Sequence, residues 1–275
     1  MSVTRWSIAS SAVDQGAETP KPVSYGGIGT AVAARKRLPI QPEGVSPGKR
    51  GSRLREAVMI GIAGGTGAGK STVVRAIIGR FGGVCVGLDS YYRDRSAVKL
   101  EERSQINYDE PAAIDHTLLI EHLRRLRAGE SIQKPRYSFH THTRTGTETV
   151  PSAWLILVDG LFTLWWEELR TLLDLRVFVD APADLRLLRR VQRDVTERGR
   201  SVESVMTQYL QTVRPMHERY VEPTKLHADL VVTNERLREE CTKPIVAAVH
   251  ELIGSTEFLK KAKRSSGPCS PVTEI

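Results

Sequence analysis

The sequence runs Gly64-Gly65-Thr66-Gly67-Ala68-Gly69-Lys70-Ser71 and then Thr72, directly after an apolar stretch at residues 57–63. This run fits the pattern G-x-x-x-x-G-K-[ST] of phosphate-binding P-loops. Its glycines let backbone N–H groups turn toward phosphate oxygens, and the N-terminus of a following helix adds a positive dipole end. We therefore predict a buried strand at 57–63, a P-loop that binds a nucleotide through residues 64–72, and a helix over 71–78.

Two side chains of this loop have predicted chemical roles. Lys70 is expected to reach the β- and γ-phosphates of a nucleoside triphosphate, and the Ser71 hydroxyl is expected to bind Mg²⁺. A Gly-rich turn with a surface lysine is the alternative interpretation. The strand before the run and the helix after it argue against that alternative.

The bulk composition indicates one α/β domain with terminal extensions. The chain has 275 residues, of which 40% are hydrophobic and 26% are charged, and this is enough for a large core. Neither a secretory signal nor an apolar run long enough to cross a bilayer is evident, so no membrane partner is expected. The three cysteines lie far apart in the sequence, which favours a reducing, cytoplasmic location.

Positive charge is concentrated in the first 55 residues. Nine basic and three acidic residues there account for +6 of the net charge of +8, so +2 remains for the rest. A nearly neutral folded part needs no nucleic-acid groove. Residues 1–55 contain five prolines and no apolar periodicity, and we interpret them as a disordered basic tail, with an organelle transit peptide as the alternative. Residues 255–275 are expected to form a flexible tail, which leaves 56–254 as the folded domain.

Apolar runs and helix signals alternate from residue 56 onward. Asp115 is expected to cap a helix in which Leu119, Leu123 and Leu126 share one face. Because unbroken apolar strands are usually buried on both faces, we predict an α/β fold of the P-loop NTPase type: a parallel sheet with helices on both faces and a helical lid. Further strands are predicted at 84–88, 154–158, 176–179 and 228–232.

Two aspartates directly follow predicted strands. Ligands of parallel sheets bind at the carboxyl ends of the strands, where Asp89, Asp159 and the P-loop would meet. Asp159 is the candidate carboxylate for Mg²⁺, with a structural cap as the alternative. Asp89 is the candidate base for the hydroxyl that accepts the phosphoryl group, with a turn former as the alternative.

Residues 182–193 have helical periodicity and place Arg186, Arg190 and Arg193 on one face. Such a face is either solvated or part of a lid that closes over phosphates, and the residues alone leave both interpretations open. A zinc site at His140 and His142 is disfavoured because no third ligand follows at a useful spacing. A histidine that hydrogen-bonds a substrate fits this region better.

The motifs, taken in order, resemble the uridine kinase (uridine–cytidine kinase) family from about residue 57 to residue 229. The resemblance implies transfer of the γ-phosphoryl group of ATP or GTP to the 5′-hydroxyl of uridine or cytidine, with Mg²⁺, in pyrimidine salvage. It also implies a small-molecule partner and a homo-oligomer. The motifs that carry it are the P-loop, Asp89-Ser90-Tyr91-Tyr92, Asn107-Tyr108-Asp109-Glu110-Pro111, Pro135-Arg136-Tyr137-Ser138-Phe139, His142-Thr143-Arg144, and the segments 189–194, 197–201, 208–217 and 222–225.

The same resemblance assigns roles to individual positions. A carboxylate that grips both ribose hydroxyls would select against deoxyribose, because a missing hydroxyl leaves a buried acceptor unpaired. The implied roles are a base at Asp89; catalytic cations at Lys70, Arg193 and Arg198; Mg²⁺ ligands at Ser71 and Asp159; ribose ligands at Asp109, Arg190 and Gln208; and pyrimidine or wall contacts at Tyr92, Tyr108, Tyr137, His142 and Arg200.

The chain departs from the family pattern at two places in the domain, and residues 1–55 are not part of the family core. Asp159-Gly160-Leu161-Phe162 stands where the family has Glu-Gly-Ile-Leu, and the side chain that is shorter by one methylene favours a water-mediated metal contact. Thr233-Asn234-Glu235-Arg236 stands where the family has a Pro-Arg-Gly-Gly-like loop near the adenine. This second departure leaves the choice between ATP and GTP open.

Two other functions remain as alternatives from the sequence. A phosphoribulokinase-like or pantothenate-kinase-like enzyme would share the P-loop and the strand-end carboxylates, but the segments 135–142 and 213–217 argue against it. A nucleotide-binding regulator without catalysis is the second alternative. Asp89 and Lys70 argue against it, because a protein that only binds nucleotide has no need of a base.

Overall fold

A five-stranded parallel sheet forms the centre of the described chain. The computed structural model describes residues 57–103, 106–235 and 239–254, so the predicted tails at 1–55 and 255–275 lie outside the described residues. The strands of the sheet are β1 Val58–Ala63, β2 Val84–Gly87, β5 Leu155–Asp159, β6 Leu175–Asp180 and β7 Leu230–Thr233. They lie in the order β2-β5-β1-β6-β7, and every neighbouring pair is parallel.

Helices cover both faces of this sheet, as the apolar strands predict. Along β1, Ile60 and Ile62 pack into one core, together with α1 (Lys70–Phe81) and α8 (Glu239–Gly254). Met59 points to the other core, which contains α3 (His116–Arg127) and α4 (Glu167–Leu172). Alternate side chains of β1 therefore pack into two separate cores, one on each face of the sheet. The predicted fold class is confirmed.

The capped helix predicted from Asp115 is present. The Asp115 carboxylate accepts a hydrogen bond from the Leu118 N–H at 3.3 Å, which satisfies one of the unpaired amides of the first turn of α3. The three leucines expected on one face are all buried. After the helix the chain turns at Gly129, whose φ of +91° is strained for any other residue.

Several predicted boundaries differ by a few residues from the observed ones. Strand β2 ends at Gly87, and Leu88–Tyr91 form a 3-10 turn, so Asp89 lies on that turn. The last strand begins at Leu230 instead of residue 228. Helix α1 extends from Lys70 to Phe81, beyond the predicted 71–78.

An antiparallel hairpin, β3 (Ile132–Ser138) with β4 (Thr143–Val150), lies outside the main sheet and was not expected from the sequence. Its strands alternate buried, partly buried and exposed residues and contain several charged and polar side chains, so they lack the apolar runs that mark the central strands. Short helical turns, α2 (Leu100–Arg103) and Pro111–Ala113, connect the second strand to α3.

A long helical segment follows β6 and supplies the predicted lid. It begins with α5 (Ala183–Thr196), turns at Gly199, and continues with α6 (Val202–Gln208). Two π-helical turns, Tyr209–Val213 and His217–Val221, flank α7 (Arg214–Met216), and Glu222–His227 closes the segment as a 3-10 helix. Across the described residues, no helix combines the length and the apolar character needed to cross a membrane.

Candidate active site

The P-loop connects β1 to α1 in a backbone conformation that requires glycine. Gly67 and Gly69 have φ values of +72° and +96°. A Cβ atom at Gly67 would overlap the main-chain oxygen of Arg186, and one at Gly69 would overlap the Asn234 side chain. The loop is therefore held closely between α5 and the residue that follows β7, and it leads directly into the N-terminus of α1.

Lys70 is the cation of this loop. Its Nζ donates to the main-chain oxygen of Gly65 at 3.1 Å, so the side chain folds back over the loop. Burial lowers the pKa of Lys70, while the nearby carboxylates of Asp159 and Asp89 act in the opposite direction. The lysine, the P-loop and both strand-end aspartates thus form one electrostatic unit, as expected from the sequence.

The sheet register brings the two aspartates to the same edge. Asp159 pairs with Ile62 of β1 on one side and with Gly87 of β2 on the other. Burial raises the pKa of Asp159 to about 6, with a further contribution from Asp89 and opposition from Lys70. Among the described residues, no donor reaches the buried Oδ1 atom of Asp159.

This orphaned carboxylate oxygen tests whether the residues fit Mg²⁺. A buried carboxylate whose ionised form lacks a donor is stabilised by a cation, and Mg²⁺ in kinases is bound by one or two side-chain oxygens together with phosphates. Ser71 and Asp159 both face the same cavity. The donor set at these two residues therefore fits the ion.

One cavity of about 1390 Å³ contains the side chains that the sequence singled out. At one end it reaches the P-loop, and at the other it reaches the hairpin and the lid. The residues expected from the sequence that line it are Thr66, Lys70, Ser71, Asp89, Tyr92, Tyr108, Asp109, Tyr137, His142, Asp159, Arg190, Arg193, Arg198, Arg200 and Gln208.

Aromatic rings build the wall at the hairpin end. The ring centroid of Tyr92 lies 5.0 Å from that of Tyr137 and 5.9 Å from that of Tyr108. Tyr108 stacks on the His142 imidazole at 4.5 Å, with only 13° between the ring planes. These rings give the hairpin end of the cavity a largely aromatic lining, called the slot below, and aromatic faces suit a planar heterocycle.

His142 is held in an unusual backbone conformation at the tip of the hairpin. Its φ of +55° lies in the left-handed region, which costs free energy for a residue other than glycine. Burial lowers its pKa, and the charges of Arg103, Arg200 and His140 lower it further, which favours the neutral imidazole. A neutral imidazole can donate from one nitrogen and accept at the other.

A relay of side chains lies beside this slot. Arg190 and Arg200 both donate to Oε1 of Gln208, at 2.9 and 2.6 Å. Because arginine can only donate, these two bonds fix the orientation of the amide and turn its Nε2 toward Asp109, 3.4 Å from Oδ2. The structure brings these expected ribose ligands together.

Two residues of the site had no role in the sequence analysis. Thr212 donates to Oδ2 of Asp109 at 2.8 Å. Asp194 has a fully buried side chain, although it lies within one of the motifs that carry the resemblance. Two features of the sequence could have indicated these residues. Thr212 lies four residues after Gln208, which places both on one face of a helix, and Asp194 is an acidic residue within an arginine-rich helix.

Asp194 is surrounded by four arginines of the lid. Arg193 lies 2.7 Å from its Oδ1 and Arg198 lies 3.5 Å from the same atom. Arg190 and Arg200 each lie 3.6 Å from Oδ2. Since these four cations all line the cavity, one buried carboxylate ties together the arginines expected to act on phosphates and on the nucleoside.

The basic face of α5 is therefore not simply solvated. Arg186 is buried and donates from Nε to the main-chain oxygen of Ala181 at 3.0 Å. It packs against the P-loop, where a Cβ atom at Gly65 would meet it. Arg186 braces the loop, whereas Arg190 and Arg193 reach the cavity.

The departure after β7 also braces the P-loop. Asn234 Nδ2 donates to the main-chain oxygen of Ala68 at 2.8 Å, and Arg189 Nη1 donates to the main-chain oxygen of Asn234 at 3.1 Å. This part of the unusual loop thus has a structural role next to the nucleotide end. Arg236, the last residue of the departure, lies outside the described residues.

A P-loop with a buried lysine, two carboxylates at neighbouring strand ends, and arginines on a lid over the same cavity define a P-loop kinase. Residues 59–242 match the model of the "Phosphoribulokinase / Uridine kinase family". That match spans well over half of the chain. The chain belongs to the phosphoribulokinase / uridine kinase family.

Individual relatives agree with this assignment. The chain is 42% identical over 208 residues to a uridine kinase of Clostridium perfringens, covering 74% of this chain and 100% of the relative. It is 46% identical over 182 residues to a uridine kinase of Halalkalibacterium halodurans, covering 65% of this chain and 86% of the relative.

The solved structure of a D-glycerate 3-kinase from Cryptococcus neoformans shares the fold. It is 15% identical, covers 70% of this chain and 90% of its own, and has a TM-score of 0.53. At that identity the similarity shows the fold alone.

Proposed function

We propose that this protein is an ATP-dependent kinase that phosphorylates the 5′-hydroxyl of uridine or cytidine. The observation that carries the proposal is the continuous cavity, which has the P-loop at one end and, at the other, an aromatic slot beside the hydrogen-bonded side chains of Asp109, Gln208 and Arg190. The relatives named as uridine kinases support the same acceptor. The catalytic domain is proposed to be residues 56–254.

The phosphate end would bind and orient the donor nucleotide. Backbone N–H groups of residues 64–72 and the Lys70 ammonium would hold the β- and γ-phosphates. Ser71 and Asp159 would hold Mg²⁺, and neutralisation of charge on those phosphate oxygens is the chemistry that the ion supplies when bound. GTP is an alternative donor in this proposal.

The acceptor end would position the nucleoside. Asp109 would accept hydrogen bonds from the ribose hydroxyls beside Gln208 and Arg190. The pyrimidine would lie in the slot against Tyr108, with Tyr137, His142 and Arg200 at its polar edge. A nucleoside bound in this way would have its 5′-hydroxyl toward the P-loop.

Asp89 would act between the two ends. It lies on the turn that follows β2, faces the cavity, and is close enough to Lys70 to affect that residue's pKa. Its carboxylate would take the proton of the 5′-hydroxyl as the oxygen attacks the γ-phosphorus and the bond to the β-γ bridging oxygen breaks. Arg193 and Arg198 would stabilise the charge that develops on the transferred group.

A coupled ADP-release assay with Mg²⁺-ATP tests the proposal. The acceptors to compare are uridine, cytidine, 2′-deoxyuridine, adenosine, ribulose 5-phosphate and pantothenate. We expect activity on uridine and cytidine and little on 2′-deoxyuridine. Activity on ribulose 5-phosphate or pantothenate alone would move the assignment to another branch of the family. ATP binding without any turnover would favour the non-catalytic regulator.

We also propose that the protein forms a homo-oligomer and acts in the cytoplasm on a small molecule, without nucleic acid or membrane. Exposed apolar side chains at Val202, Met206 and Leu210, spaced by four residues along the lid, support assembly. Light scattering of the wild type and of Met206→Glu tests it. The reported relatives are bacterial, so they lend no support to organelle import through residues 1–55.

A further inference from the structure

The hydroxyl of Thr212 contacts the carboxylate that is proposed to hold the ribose. Its Oγ1 lies 2.8 Å from Oδ2 of Asp109 and 3.2 Å from the main-chain oxygen of Gln208. A threonine hydroxyl has one hydrogen to donate. The shorter distance and the charge of the acceptor both favour donation to Asp109.

The two described side chains that donate to Asp109 both reach the same oxygen. Gln208 Nε2 lies 3.4 Å from Oδ2, which is the atom that Thr212 also reaches. The main chain of Asp109 is fixed separately, because its N–H donates to Oδ1 of Asn107 at 3.0 Å. Both bonds from the lid therefore go to Oδ2 and neither goes to Oδ1, which is the oxygen that we expect the ribose to meet.

The charge on Asp109 depends on the same contact. Burial raises the pKa of Asp109, whereas Arg190, the hydrogen bond from Thr212 and Arg200 lower it, and Asp194 raises it further. Of these neighbours, Thr212 is the uncharged one, so its hydroxyl can be removed without changing the net charge of the site.

The position of Thr212 in the helix is also unusual. It lies in the π-helical turn Tyr209–Val213, directly after the relay residue Gln208. Such turns add a residue to a helical turn and are frequent at functional sites. Here the turn carries the hydroxyl that reaches from the lid to the loop before Pro111–Ala113.

We infer that Thr212 is a positioning residue that orients the Asp109 carboxylate and thereby sets the preference for ribose over 2′-deoxyribose. The inference rests on the proposed function, since it takes Asp109 as the ribose ligand. Thr212 itself would not touch the reacting atoms. It would act through the carboxylate that both sugar hydroxyls must meet.

Three variants test the inference. Thr212→Val removes the hydroxyl and keeps the shape, Thr212→Ser keeps the hydroxyl, and Thr171→Val removes an exposed hydroxyl that donates to a main-chain oxygen in α4. In Thr212→Val we expect kcat/KM for uridine to fall roughly tenfold and that for 2′-deoxyuridine to fall much less. Thr212→Ser should restore most of the preference, and Thr171→Val should match wild type.

A second readout does not depend on turnover. Carbon-13 NMR titration of the Asp109 carboxyl is expected to show a higher pKa in Thr212→Val than in wild type or Thr212→Ser. If wild type phosphorylates neither nucleoside, the proposed function is contradicted, and this titration alone decides on the positioning role. An unshifted Asp109 pKa in Thr212→Val, or an unchanged preference in an enzyme that does phosphorylate uridine, overturns the inference.

Discussion

The two ends of the cavity are built from different parts of the chain. The phosphate end consists of backbone from one contiguous run, residues 64–72, held by glycine conformations that no other residue adopts easily. The nucleoside end consists of side chains from four separate segments, which lie at 89–92, 106–109, 137–142 and 190–212.

Because of this difference, we expect the two ends to contribute differently to binding and to selectivity. A backbone cradle binds any nucleoside triphosphate through its phosphates and gives little selectivity. Hydrogen-bonding side chains discriminate between ligands, because a ligand that lacks a matching group leaves a buried polar atom of the site without a partner. We therefore expect changes at the nucleoside end to alter the acceptor preference while ATP binding is retained.

The largest expected effect is at Asp89, where the two ends meet. Asp89→Asn keeps the shape and removes the base, so kcat should fall by about 10²- to 10⁴-fold. Calorimetry should show nearly unchanged affinities for Mg²⁺-ATP and uridine. A variant with wild-type turnover would mean that Asp89 is not the base.

Asp194 contacts arginines that are proposed to act at both ends of the cavity, so its substitution should affect both. Asp194→Asn leaves four arginines without their buried counter-charge, and we expect a loss of about 2–3 kcal/mol in both stability and kcat/KM. The matched control is Asp184→Asn, an exposed acid in the first turn of the same helix. Retained kcat/KM in Asp194→Asn would show that the arginines do not need this carboxylate.

The ionised Asp159 carboxylate, which is proposed to bind Mg²⁺, is expected to lower the stability of the fold. Because burial raises its pKa to about 6, ionisation costs the folded state up to about 3 kcal/mol. The free energy of unfolding of the wild type should therefore fall by up to this amount as the pH rises from about 4 to about 6, and that of Asp159→Asn should not show this fall. Urea unfolding of both proteins at pH 3.5 and pH 7.5 tests this. The cost of ionising Asp159 should be near zero at pH 3.5 and fully present at pH 7.5. Equal pH dependence in both proteins would contradict this assignment of the charge.

The smallest expected effect is at Phe139, where the hairpin meets the lid. The Arg198 guanidinium carbon lies 4.4 Å from the Phe139 ring centroid, and the ring is 40% exposed. Phe139→Leu should remove about 0.5–1 kcal/mol and raise KM for uridine by two- to fivefold. Phe139→Tyr, which keeps the aromatic face, is the control. An unchanged KM in Phe139→Leu would indicate that this contact does not support the closed site.

The contrast between the two ends also explains what the sequence could predict. The sheet was predictable because its strands are unbroken apolar runs, and the P-loop because its residues are consecutive. The hairpin β3–β4 was not predicted, because its strands are largely polar and lie outside the main sheet.

For the site, the sequence indicated individual residues but not the contacts between them. Positions such as Asp109 and His142 came from resemblance to a family, and their roles remain predictions. The contact between Thr212 and Asp109 depends on how the lid packs against the loop at 106–110, about a hundred residues away in the sequence, and periodicity within one helix does not contain that information. The contacts of Asp194 stay within the lid, where Arg198 and Arg200 lie beyond the end of α5.

The central claim is that one cavity holds both substrates with their reacting groups facing each other. A bisubstrate compound, uridine and adenosine joined through their 5′-oxygens by four phosphates, tests it most directly by calorimetry. We predict one molecule bound per chain, displaced by ATP and also by uridine, with weaker binding in Asp109→Asn. Displacement by ATP alone, with the same affinity in Asp109→Asn, would contradict the claim.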